Sequence, residues 1–104
     1  MDDGKASREF FADHVAGRTG ADRADVRLGP TYGADFGVVD VGDSVVAMAA
    51  DPVFVMRELG VERAAWFAFH IAVSDEALSG LPPAHLAVTL NLPPGTSTET
   101  FDAI

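Results

Sequence analysis

Residues 7–16 place Phe10, Phe11, His14 and Val15 at helical spacing, one apolar stripe on a short amphipathic helix. Ser7 suits its N-cap, Glu9 sits in its first turn, and Gly17 follows its last turn. Residues 18–27 mix charges with small residues and read as a solvated connector. Val26 and Leu28 can open a short strand before Gly29-Pro30. Two β-rich runs, 36–41 and 44–50, flank Gly42-Asp43 in the pattern of an antiparallel hairpin. Pro52 lacks a backbone donor and ends the second run. Residues 53–59 are ambiguous between a loop and a short extended piece. Residues 60–79 are the strongest element. Their apolar positions, Trp66, Phe67, Phe69, Ile71 and Val73 among them, cover more than one face, which predicts a buried helix. Gly80 and then Pro82-Pro83 stop it. Residues 84–92 alternate and predict a third strand over 85–90, terminated by Pro93-Pro94-Gly95. Thr96-Ser97-Thr98-Glu99 has the pattern of a further helix cap.

These elements predict an α/β (α+β) fold in the order α-β-β-α-β-(α), with a mixed or antiparallel sheet packed on helices. A chain of 104 residues is the length of one small domain. Within it, 1–30 reads as an N-terminal helix and connector, and 31–95 as the sheet and buried-helix core. The last helix starts only about two turns before Ile104, and three strands leave an open edge. The expectation is an incomplete domain: a short tail, the front part of a longer domain, or a sheet that a second copy completes. No internal repeat or low-complexity segment is present.

Charge narrows the partners. Seven Lys+Arg against 16 Asp+Glu give a net charge of -9, which repels nucleic acid and anionic membranes. The plainer reading of so much aspartate is solubility, as in adaptation to high salt. With no cysteine there are no disulfides, thiolate metal sites or cysteine nucleophiles. No stretch of 18 apolar residues occurs, and the acidic Met1-Asp2-Asp3 start does not suit a secretory signal, so the expected location is the cytoplasm.

Spacing alone excludes some chemistry. No Gly-x-x-x-x-Gly-Lys-Ser/Thr loop is present. Gly33-Ala34-Asp35-Phe36-Gly37 precedes a strand, the wrong order for a dinucleotide fingerprint. His14, His70 and His85 fall on different elements with no pair at zinc-ligand spacing. The carboxylates are placed more suggestively. Asp35 precedes the first hairpin run, Asp51 follows the second, and Asp75 lies within the apolar helix. Such hard oxygen ligands suit Mg²⁺ with phosphate as co-ligand. The alternative is that Asp35 and Asp51 cap turns while Asp75 faces solvent.

Three segments in this order carry a resemblance: 33–40 (Gly-Ala-Asp-Phe-Gly-Val-Val-Asp), 48–52 (Met-Ala-Ala-Asp-Pro) and 70–82 (His-Ile-Ala-Val-Ser-Asp-Glu-Ala-Leu-Ser-Gly-Leu-Pro). Together they resemble the N-terminal (PurM-like) domain of the aminoimidazole ribonucleotide (AIR) synthase superfamily. Asp51-Pro52-Val53-Phe54 and Glu62-Arg63-Ala64-Ala65-Trp66 are most similar to its AIR synthase-related and HypE-like (hydrogenase-maturation) members. The resemblance covers residues 4–104. It implies a domain that dimerises by joining sheets and binds Mg-ATP to phosphorylate a small substrate. It further implies Gly33, Asp35, Asp51 and Asp75 at the nucleotide, with the three aspartates as metal ligands. Arg57 or Arg63 is a candidate phosphate contact, with plain surface charge as the alternative. The pattern departs from the family where Ala34 replaces the first aspartate of an Asp-Asp pair and Ser74 replaces an asparagine. The family's later Gly-Gly-Asp metal motif and C-terminal domain have no counterpart in the 104 residues. The alternative function is therefore a non-catalytic dimerisation or interaction module.

Overall fold

The computed structural model describes residues 5–104, with the side chain of Arg57 outside the description. The chain forms two compact units, one ending at Met48 and one spanning Ala49–Ile104.

The first unit begins with helix α1 (Arg8–His14). Ser7 Oγ accepts the Phe10 N–H at 3.1 Å, satisfying one of the donors that a helix start leaves open. Phe11 and Tyr32 meet edge to face at 6.2 Å, and the Arg8 guanidinium stands 5.1 Å from the Tyr32 ring centre. Then come β1 (Val26–Leu28), β2 (Gly37–Val41) and β3 (Ser44–Met48), an antiparallel sheet in that spatial order. The hairpin pairs Gly37 with Met48 and Val41 with Ser44, leaving Gly42-Asp43 as a two-residue turn. Gly42 has φ +59° and, among the described residues, no non-glycine has positive φ, Asp43 included, which is the pattern of a type II′ turn. A Cβ at that φ is strained, so Gly42→Ala is expected to cost about 1 kcal/mol, read as a lower urea midpoint. An unchanged midpoint would show that the turn adapts.

Charge lies on the β1 side of this sheet. Arg27 bridges β1 to Asp40 of β2 at 2.7 Å. Arg23 grips Asp25 through two hydrogen bonds of 2.9 and 2.7 Å. That grip holds the Asp25 carboxyl below its ordinary range. The stabilisation it gives is present above the usual carboxylate pKa and is lost as acid protonates Asp25. Both groups are exposed, so the contribution is small.

The second unit holds helix α2 (Val61–Ala77) and helix α3 (Thr98–Asp102). Gly60 enters α2 with φ +80°, and Gly80 follows its end with φ +81°. Glu62 in the first turn complements the helix dipole. Ser97 caps α3 by accepting the Thr100 N–H at 3.2 Å.

Two expectations need correction. The third strand is β1, before the hairpin, and residues 85–90 form no strand. The observed order is α-β-β-β-α-α. Alternation supplies a strand's side-chain pattern, but a strand exists only where a neighbour completes its ladder. Residues 81–90 are exposed throughout and find none. The second correction concerns α2, which was expected to be buried all round. Its covered stripe is Val61, Ala64, Ala65, Ala68 and Ala72, at helical spacing, with Ala64 fully buried and Ala68 5% exposed. The large residues point the other way, Trp66 at 57% and Phe69 at 49% exposure. Ala64 and Ala68 are the buried hydrophobic residues among those described.

Candidate functional site

The proposed metal ligands fall on three different kinds of backbone. Asp35 lies exposed in the turn two residues before β2. Asp51 is half-buried, three residues after β3. Asp75 is half-buried in the last turn of α2. Gly33 sits in the turn before Asp35 with φ +88° and open space where a Cβ would stand. The hairpin register sets Gly37, two residues after Asp35, beside Met48. Within neither unit do three or more His, Asp or Glu side chains, among the described residues, gather in a group that could hold a metal ion. The three candidate aspartates are divided between the two units, Asp35 in the first and Asp51 and Asp75 in the second, and no reaction step is derived through a metal. Arg63 is exposed on α2, and the Arg57 side chain lies outside the described residues.

An open cleft of about 670 Å³ lies in the second unit, lined by Phe54, Val61, Leu92, Pro94, Thr96 and Ile104 among others. Among the described residues no ionisable side chain lines it. Of its polar groups, Thr96 Oγ1 donates to the Pro93 carbonyl at 2.7 Å, Ser97 caps α3 with its oxygen 3.1 Å from Thr100 Oγ1, and Asn91 completes the set.

Two uncovered surfaces are more distinctive. The outer edge of β3, Ser44-Val45-Val46-Ala47-Met48, has no charge and no proline, and Val45, Val46 and Met48 are exposed. An edge of this kind lacks the usual guards against strand addition. The second surface is the outer face of α2. Trp66 packs against His70, one turn on, with the rings tilted at 58° and their centres 3.9 Å apart, and meets Phe67 edge to face at 5.1 Å. Phe69 meets His70 edge to face at 5.5 Å. Aromatic rings thus cluster in water rather than in a core.

Sequence reasoning marked the open edge but expected the aromatic face to be inside. The alanines at 64, 65, 68 and 72 were the available signal, a small-residue stripe that takes the covered side.

Comparison with protein-family profiles, curated proteins and solved structures finds no match to this chain. What stands is the class: a small α+β chain with a three-stranded antiparallel sheet. Among the described residues no helix is long and apolar enough to cross a membrane.

Proposed function

We propose that this chain is a self-association module whose sheet is extended across the free edge of β3 by a second copy. The observation that carries this reading is the five-residue edge without charge or proline, opposite a β1 side bearing Arg23, Asp25 and Arg27. Pairing two β3 edges about a two-fold axis satisfies the free backbone groups of both copies and sets Val46 and Met48 on one face, and Val45 on the other, beside side chains of the partner strand. The scarcity of buried residues supports the same reading, because a domain this size gains little stability from so small a core. Light scattering on the full chain is expected to give at least twice the 10.9 kDa chain mass. A monomer at every concentration overturns the proposal.

A second reading keeps the Mg-ATP site that the AIR synthase resemblance implies, in an enzyme that phosphorylates a small substrate. What supports it is the order of Gly33, Asp35, Asp51 and Asp75 in the segments that carry the resemblance. On this reading Gly33, Asp35, Asp51 and Asp75 contact the nucleotide or its metal. Calorimetric titration with Mg-ATP is expected to show binding that Asp75→Ala weakens more than Asp43→Ala does. Equal effects, or no metal-dependent heat, contradict it. The two readings are compatible, and the location expected for either is the cytoplasm.

A further inference from the structure

We infer that the cleft of the second unit is a binding site for a neutral, largely apolar small molecule that carries a carbonyl or amide group. The site is independent of the self-association proposed above, because β3 belongs to the first unit.

The walls set the ligand's bulk. Val53, Val55, Val61, Leu92 and Ile104 are half-buried and make the lining apolar. The volume of about 670 Å³ lies inside the range of small-molecule sites, roughly 300–1,000 Å³. Pro93 and Pro94 each fix a backbone φ in one wall, so little chain freedom is lost when a ligand seats there. Gly95 follows at φ +80°, with open space where a Cβ would stand.

Charge excludes ions. Among the described residues no ionisable side chain lines the cleft, in a chain where 22% of residues are charged. An anion or a cation loses hydration on entry and meets no opposite charge in the lining. An anion is repelled as well by the net charge of -9. A neutral molecule bears neither cost.

The polar groups call for an acceptor on the ligand. Ser97 Oγ accepts the Thr100 N–H at 3.2 Å and stands 3.1 Å from Thr100 Oγ1. That contact uses one of the two hydroxyl protons and leaves the other to donate. Among the described residues no hydrogen bond engages the Asn91 carboxamide, which also carries donors. A carbonyl or amide oxygen can take these donors; a pure hydrocarbon can take none.

The test titrates the full chain with Nile red, a neutral apolar dye with a ring carbonyl, and follows its fluorescence. Saturable binding at one site per chain is expected. Leu92→Glu sets a charge in the wall and is expected to weaken binding at least about tenfold. Asn91→Leu, at an exposed position, is expected to weaken it about fivefold, the loss of one hydrogen bond. Trp66→Lys, on the outer face of α2, is expected to leave it unchanged. The anionic dye anilinonaphthalene sulfonate is expected to bind at least about tenfold more weakly than Nile red. Far-UV circular dichroism checks that each variant is folded, and Asn91→Leu decides the matter if Leu92→Glu is not. No saturable binding to the wild type overturns the inference. So does wild-type affinity in the folded cleft variants, or a loss in Trp66→Lys, which places the dye on α2. Equal affinity for the two dyes overturns the selection of neutral ligands. None of these results touches the β3 contact, which the mass of the chain tests separately.

Discussion

Val46→Lys is expected to weaken the sheet-edge contact at least about 100-fold, close to 3 kcal/mol of association free energy. Val46 lies at the middle of β3 and is exposed in the single chain. On pairing about a two-fold axis its side chain stands beside the partner strand's on the same face, so a lysine there sets like charges next to each other with no carboxylate on β3 to receive them. The measurement is the dissociation constant of the full chain, and the substitution is expected to convert dimer to monomer. The hairpin itself has little reason to change, because β3 keeps its register with β2 and the new side chain is free in the monomer. An unchanged dissociation constant would mean that β3 is not the surface that pairs.

Ala64→Asp is expected to unfold the chain. Ala64 is fully buried on α2. An aspartate in its place carries a charge out of water with no prepared partner, at a cost of about 3–5 kcal/mol. A domain of this size holds stability of about the same amount. The expected result is loss of helical circular dichroism and of a cooperative urea transition. Ala77→Asp, at an exposed position on the same helix, is expected to cost under about 1 kcal/mol. Similar urea midpoints for the two variants would show that the alanine stripe does not define the covered side.

Local chemistry was legible from the residues. Ser7 before an apolar stripe, Gly42-Asp43 between two valine-rich runs, and Ser97 before Thr98-Glu99 each state their structure within a few positions. The failures were those of longer range. Residues 85–90 have a strand's alternation, but a ladder also needs a neighbour, which no local pattern supplies. The three-residue β1 is the short strand that Val26 and Leu28 announce before Gly29-Pro30, and its pairing with β2 brings it into the sheet. For α2, a helix apolar on several faces leaves open which face is covered. The alanines take that side, and the aromatic residues stay outside. Asp35, Asp51 and Asp75 were picked by order along the chain, which does not fix whether three carboxylates converge.

The most direct test of the central claim is the mass of the unmodified chain by sedimentation equilibrium over a wide concentration range. Self-association through β3 predicts a weight-average mass that rises to at least twice 10.9 kDa as concentration increases. A mass that stays at 10.9 kDa throughout, with helix and sheet intact by circular dichroism, would contradict it.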